Sequence, residues 1–383
     1  MAEQVKRGRP GAQNPGRMIS GGMNVEDFIE LTNRTECDCT CVGKSFTPVP
    51  EEEREDFVDV AEEIGLRRLA QAEEAEAAGN TVTAANFYGR AEAMFRVADY
   101  GIHDAITDEK IRIYSQIPKC FAKNWTLRPE HVECVEIPFG DTTMDAYYGI
   151  PEGTTPSSPV LVFIPGATGF KEENFSTAWY FYERGIPFII FDGPGQGTSL
   201  YFKKMWLTET NYIDAVRAVI QYVKADTRVG DKIALYGMSY GGFLAAQAAC
   251  ALNDDICGLI VRGGTDKTDT LTKHPWMGIP NFYLGGFQLK FNQPIEVCSE
   301  MSTRMDCTDD LHNITCPTLV IHSHEDPIIG VEGAHRIYDL VSSTEKYYAD
   351  YPGNAHCVND QMDSAGCFGA DWMVPRMLEA AQA

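Results

Sequence analysis

The sequence predicts an α/β fold: a mostly parallel, twisted sheet flanked by helices, with a helical segment ahead of it. Three observations carry this prediction. After Pro159, short apolar runs of strand size alternate with helical stretches, the pattern of parallel strands joined by crossover helices. Within that alternation, Gly237-Met-Ser-Tyr-Gly241 stands between the strand-like Lys232-Ile-Ala-Leu-Tyr236 and the small-residue helical stretch Gly242–Cys250. Ahead of it, residues 52–78 and 83–100 place apolar side chains at helical spacing, first Phe57, Val60, Ile64 and Leu69, then Phe87, Ala91, Phe95 and Ala98.

Taken in order, residues 1–22 are rich in Gly, Pro and Arg and read as a disordered tail. Residues 23–129 form a helical cap segment. Gly79-Asn80 breaks its two long helices, and a third helix, Asp108–Gln116, is stopped by Pro118. Residues 130–383 form the α/β core. It opens with Glu133–Pro138 and Asp145–Ile150, a hairpin or two edge strands around Gly140-Asp141. The alternation is interrupted at 265–313, after the sixth strand. An insert of that length holding Trp276, Met277, Phe282, Tyr283, Phe287 and Phe291 exceeds a plain connection and reads as part of a substrate pocket.

The Gly-x-Ser-x-Gly peptide sits in the setting that gives it chemical meaning: strand, sharp turn, helix. The glycines permit the turn, and the turn holds the Ser239 hydroxyl clear of the sheet at a helix N-terminus. The dipole there favours a developing negative charge. A serine nucleophile needs a base, and the base an orienting acid, which follow such a turn in the order Ser, Asp, His. Asp326 stands just past the buried strand Pro317–Ser323, and His356 follows thirty residues on, after the strand-like Lys346-Tyr-Tyr348. Glu325 is the weaker choice of acid, because the Asp326-Pro327 turn better aims a side chain back at the site. His322 and His324 alternate along one strand and read as core or rim residues. An oxyanion hole takes two backbone N–H groups: that of Tyr240, after the nucleophile, and one from the loop Pro165–Glu173, for which Ala167 is the choice. Thr168, Trp276, Phe282 and Tyr283 are the candidate substrate contacts.

Ile189-Ile-Phe-Asp-Gly-Pro-Gly-Gln-Gly197 makes a resemblance specific. It is similar to a segment of one branch of α/β-hydrolases, comprising the dihydroxypseudooxynicotine hydrolases, the FrsA-like proteins and the fungal pigment hydrolases that shorten polyketides. The loop Pro165-Gly166-Ala167 with Lys171-Glu172-Glu173, the peptide Gly237–Gly242, and the order of Ser239, Asp326 and His356 fit that branch as well. Thr168 departs from it, standing where the branch often has an acidic residue. The resemblance covers roughly residues 52 to 375. It implies an α/β-hydrolase fold in which helices near the N-terminus close over the active site, and it leaves a homodimer open. It also implies serine chemistry through an acyl-enzyme on a ketone or polyketide-like small molecule, with C–C hydrolysis of a β-diketone type compound or removal of an acyl unit. An esterase, thioesterase or acyltransferase with the same three residues is the alternative, and a non-catalytic binding protein on this fold is a more distant one.

Composition agrees. The chain has 383 residues, enough for a core of about 250 plus a cap. A net charge of −23, from 32 basic and 55 acidic residues, argues against nucleic acid or an anionic membrane as partner. Much of the excess lies between Glu51 and Glu76 and reads as a solvated helix face. Apolar runs are strand-sized, well under the roughly twenty residues of a spanning helix, and no signal-peptide core is seen, so the expected compartment is the cytoplasm. There the twelve cysteines are free thiols. Cys37-Asp-Cys39-Thr-Cys41 lacks the second pair of a structural zinc site, so neither metal nor cofactor is expected.

Overall fold

Part of the tail expected to be disordered is ordered: Pro15–Ser20 forms a short helix, α1. The proline occupies the first helical position, where no N–H is needed, and Met18 is buried. The computed structural model describes residues 7–8, 15–38, 47–102, 106–269 and 290–382. It separates into two units, Met1–Glu130 and His131–Ala383.

The first unit is helical. α2 (Val25–Thr35) is capped by Asn24, whose side chain accepts from the Glu26 N–H at 2.9 Å. A two-residue antiparallel pair, β1 (Cys37–Asp38) with β2 (Thr47–Pro48), follows. α3 (Phe57–Ala77) is capped by Asp56, which accepts from the Val58 and Asp59 N–H groups. Gly79, at φ +76°, ends that helix as its spacing predicts, and α4 (Thr81–Tyr100) packs back against it. The two approach closely where Gly65 faces Phe95: a Cβ on Gly65 would lie 3.0 Å from the ring. α5 (Asp108–Tyr114) and α6 (Gln116–Thr126) complete the unit. Pro118 therefore does not stop a helix; it lies in the first turn of α6, where N–H groups have no intrahelical acceptor to lose. The acidic stretch is more than a solvated face. Arg34 pairs with Glu55 and Glu63, Arg112 with Glu62, and Lys123 with Glu76. Deeper in, the fully buried Asp27 is held by Arg68 and Arg90, each at 2.7 Å.

Among the described residues, the second unit is built on eight strands: β3 (Val132–Phe139), β4 (Thr142–Gly149), β5 (Val160–Ile164), β6 (Phe188–Phe191), β7 (Ile233–Met238), β8 (Gly258–Arg262), β9 (Thr318–Ser323) and β10 (Lys346–Tyr351). Their spatial order is β10-β9-β8-β7-β5-β6-β4-β3. β3 and β4 form the expected hairpin. β4 pairs antiparallel with β6 too, and every other neighbouring pair is parallel. β5 through β9 are buried residue by residue, as strands covered on both faces must be. The covering helices are α7 (Lys171–Tyr182), α8 (Gly197–Tyr201), α9 (Asn211–Ala225), α10 (Tyr240–Leu252), α11 (Ile295–Arg304), α12 (Val331–Leu340) and α13 (Met362–Ala380). The chain lays β6 on one side of β5 and β7 on the other. Sheets of this kind place their chemistry at the C-terminal ends of the strands, beside such a reversal. Of the insert 265–313, residues 265–269 and 290–313 are described. Asp266 anchors it, accepting from Arg336 of α12 at 2.6 and 2.7 Å.

Candidate active site

Ser239 joins β7 to α10 as the helix N-cap, with φ +58° and ψ −126°, a strained conformation for a residue with a Cβ. Two glycines make the turn possible. A Cβ on Gly241 would lie 2.3 Å from the Ile164 carbonyl oxygen, and one on Gly237 would lie 2.1 Å from that of Gly241. The strain is held from the neighbouring strand, since the Ser239 N–H donates to the Arg262 carbonyl at 2.8 Å.

Three sequence-predicted residues meet here. Ser239 Oγ lies 2.8 Å from His356 Nε2, and His356 Nδ1 lies 2.8 and 3.0 Å from the two Asp326 carboxylate oxygens. Asp326 follows β9 and is locked in turn. One oxygen accepts the N–H groups of Ile328 and Ile329 at 2.9 and 3.1 Å, and the other accepts that of Cys357 at 3.3 Å. Glu325 is exposed and takes no part in this chain of bonds. A hydroxyl bonded to an imidazole, whose far nitrogen meets a buried carboxylate, can surrender its proton as it attacks a carbonyl.

The electrostatics suit that arrangement. Burial opposes the charge on Asp326, but His356, His322 and the Ile328 N–H together hold its carboxyl below the usual carboxylate range. Burial likewise disfavours a charged His356, yet the Cys357 sulfur, 3.4 Å from Nε2, and Asp326 both favour it, and the ring is pushed up to about 10. Beneath Asp326 lies His322, fully buried, its Nε2 donating to the Ile329 carbonyl at 2.8 Å; burial pushes it down, toward the neutral ring. Of the two strand histidines, His322 is therefore core, and His324 is exposed beside Asp350.

The loop after β5 lies directly against the serine. A Cβ on Gly166 would sit 3.0 Å from Ser239 Cβ and 3.5 Å from its hydroxyl oxygen, so a side chain here would crowd the serine. Ala167 follows it, half-buried, and Thr168 is exposed. Trp276, Phe282 and Tyr283 lie outside the described residues, as do Cys39 and Cys41. The family model of the alpha/beta hydrolases matches residues 161–365, over half of the chain. The chain belongs to the alpha/beta hydrolase family. Among curated relatives, it is 27% identical over 236 residues to the 2,6-dihydropseudooxynicotine hydrolase of Paenarthrobacter nicotinovorans, covering 60% of each chain. It is 31% identical over 196 residues to the 20-hydroxy-prefusarin hydrolase FUS2 of Gibberella moniliformis, covering 47% of this chain and 45% of that one. The matched region thus spans 45–60% of these relatives' length. Among solved structures, the 2,6-dihydroxy-pseudo-oxynicotine hydrolase superposes with a TM-score of 0.80 at 21% identity, over 96% of this chain and 97% of that one. The resemblance stated from sequence motifs therefore stands, and so does the fold.

In this alpha/beta hydrolase the Phe-Asp-Gly-Pro-Gly-Gln-Gly segment has a readable physical role. Asp192 is fully buried at the end of β6. Its carboxylate accepts the Lys171 N–H at 2.9 Å, the Lys171 ammonium at 2.7 Å and the Thr198 N–H at 2.9 Å. Lys171 also reaches Glu172 at 3.0 Å, and Tyr147 donates to Glu172 at 2.6 Å. Gln196 acts on the loop beside the serine. Its amide oxygen accepts from the Tyr212 hydroxyl at 2.7 Å and the Gly193 N–H at 3.2 Å. That turns the amide nitrogen to the Pro165 carbonyl at 2.7 Å and the Gly166 carbonyl at 3.4 Å. Sequence reasoning passed over Gln196, Arg262 and Cys357. Gln196 lay inside a quoted motif, and Cys357 directly follows His356. Arg262 carried a signal of its own, a charge ending the apolar run Gly258-Leu-Ile-Val.

Proposed function

We propose that this enzyme is a serine hydrolase acting through an acyl-enzyme. Ser239 attacks a carbonyl carbon, His356 takes its proton and returns it to the leaving group, and Asp326 holds the imidazole in the required tautomer. The N–H groups of Tyr240 and Ala167 receive the oxyanion, and water then resolves the acyl-enzyme. The observation that carries this reading is the run of hydrogen bonds from Ser239 Oγ through both nitrogens of His356 to Asp326. The substrate class is a ketone or polyketide-like small molecule, cleaved at a C–C bond of β-diketone type or at an acyl unit. Support comes from the motif resemblance and from relatives named for a pseudooxynicotine and a prefusarin. We assign substrate selection to the helical segment 23–129 and the insert 265–313, and the reaction to the cytoplasm. Ten free cysteines among the described residues suit a reducing compartment.

The experiment has two parts. A fluorophosphonate probe should label the wild type and not Ser239→Ala. Ser239→Ala should fold normally and turn over roughly 10³–10⁶-fold more slowly. Metabolites of a host expressing either form then reveal the substrate, and turnover in oxygen-18 water reveals the reaction. One label in the released acid supports hydrolysis, whereas an unlabelled acyl product means transfer to an alcohol. A Ser239→Ala enzyme keeping more than about a tenth of the activity would remove the assignment.

A further inference from the structure

We infer that Arg262 is a positioning residue that holds nucleophile and base in register, an inference resting on the reading of His356 as the base for Ser239. Arg262 is the last residue of β8, paired in register with Met238 of β7. Its main-chain carbonyl accepts the Ser239 N–H at 2.8 Å. Its side chain reaches the other partner's loop. Nε donates to the Cys357 carbonyl at 2.8 Å, and Nη2 donates to the Val358 carbonyl at 3.2 Å. One residue thus touches both the turn that carries the serine and the turn that follows the histidine.

The histidine turn needs such a hold. Cys357 and Val358, the two residues after His356, have φ of +56° and +54°. Two successive non-glycine residues in the left-handed region are costly, and a β-branched valine there is an outlier. Both side chains are buried, so the turn cannot relax by moving into solvent. The guanidinium forks across the two consecutive carbonyls this conformation turns inward, which a single-point donor cannot do equally well. The packing is close on the same side. Gly263 has φ +59°, and a Cβ there would lie 2.6 Å from Cys357 Sγ.

Arg262 is a poor choice for stability alone. It is fully buried, and among the described residues it has no ion pair and its Nη1 has no hydrogen-bond partner, while Nη2 also donates to the Met362 sulfur at 3.0 Å. A bare buried charge carries a large desolvation cost that an apolar residue at the end of an apolar strand would avoid. Its presence is accounted for by what it holds.

The test uses the full chain and a fluorophosphonate probe, so it needs no known substrate. The rate of Ser239 phosphonylation is followed from about pH 5 to 10 for wild type, Arg262→Met and Arg262→Lys, with thermal unfolding in parallel. Arg262→Met loses the hydrogen bonds to the Cys357 and Val358 carbonyls and the weaker one to the Met362 sulfur, and also a buried charge with no counter-ion, so it should unfold within a few degrees of wild type. It should label about 100-fold more slowly, because displacing the base by about 1 Å has that effect. Its residual rate should climb with hydroxide and show no plateau, since the imidazole no longer reports. Arg262→Lys keeps the charge and one donor, and should fall between the two. A folded Arg262→Met enzyme that labels within about threefold of wild type, with the same acid limb, overturns the inference. If Arg262→Met does not fold, Arg262→Lys decides: wild-type rate and limb would show the fork to be unnecessary. A wild type that labels no faster than Ser239→Ala marks a different failure. It removes the base reading itself, and with it the role inferred for Arg262.

Discussion

His356 stands between three groups at once: Ser239 Oγ at 2.8 Å and Cys357 Sγ at 3.4 Å on one nitrogen, Asp326 on the other. In the proposed mechanism the neutral ring is the form that accepts the serine proton. Because its pKa is raised above the ordinary 6.5, toward about 10, activity should be absent at low pH and should rise through an acid limb lying above 6.5. The stability contribution has the opposite sign. A group with a raised folded pKa adds stability that is fully present below its unfolded pKa and is lost as pH rises through the folded one. A pH–rate profile of the free enzyme checks the limb. Cys357→Ala should move it downward, since the sulfur is one of the two neighbours favouring the charged ring. Asp326→Asn should move it downward too and lower the rate by roughly 10⁴, with little change in affinity. An unchanged limb in both variants would mean that His356 is not the titrating base.

Loops, more than helices or strands, set the geometry of the site. The loop after β5 is pressed on the serine through Gly166 and tied from the other side by Gln196. Gln196→Ala leaves that loop free to drift. It should lower kcat on a simple activated ester by about tenfold to a hundredfold, with KM little changed, because an oxyanion donor acts in the transition state. The discriminating readout is the ratio of rates on an ester and its thiono analogue, which should fall toward one. A kcat loss with the ratio intact would mean that Gln196 supports the fold and not the hole. At the other end of the chain, α1 alters what truncation should do. A Gly/Pro/Arg-rich tail with almost no apolar pattern is expected to be dispensable. In the structure Met18 is buried, and Arg7 pairs with Asp56 at 2.9 Å and with Glu109 at 2.5 Å. Deleting residues 1–22 should therefore lower the melting temperature by several degrees, as loss of about 1–3 kcal/mol does in a domain of this size. An unchanged melting curve would mean these contacts contribute nothing.

At the scale of the whole molecule, the two units are unequal in what they can do alone. His131–Ala383 contains Ser239, Asp326, His356 and the complete sheet. Met1–Glu130 is mainly helices, with ion pairs inside the unit that reach down to the buried Asp27 between Arg68 and Arg90. Its long helices α3 and α4 carry apolar stripes that need packing partners. Removing residues 1–129 should cost both solubility and turnover of the natural substrate. Size-exclusion chromatography and a rate measurement check this, and a monodisperse, fully active truncated enzyme would refute the substrate-selection role. Fluorophosphonate labelling of any folded fraction separates loss of the serine's chemistry from loss of substrate binding.

The parts legible in the sequence are those governed by local physics. Apolar runs and their spacing marked β5 through β9 and helices α3 and α4, because strand and helix periodicity depend on neighbours along the chain. Glycines around Ser239 marked the turn, because only glycine fits where backbones approach to 2.1–2.3 Å of a would-be Cβ. The Asp-Pro turn after β9 and the loop after β10 marked Asp326 and His356 for the same local reason. Pro118 was misleading because a proline's effect depends on whether it stands inside a helix or in its first turn, and that depends on where the helix starts. Arg262 and Gln196 were beyond local reading. Their partners lie 95 and 31 positions away in the chain, and a side chain's role as a clamp exists only once folding has brought a carbonyl within its reach. Sequence by itself determined the sheet, the elbow and the three residues that meet at it. The tertiary structure alone decided what holds them to within a hydrogen bond of one another, since hydrogen bonding at 2.8 Å is a property of position in space.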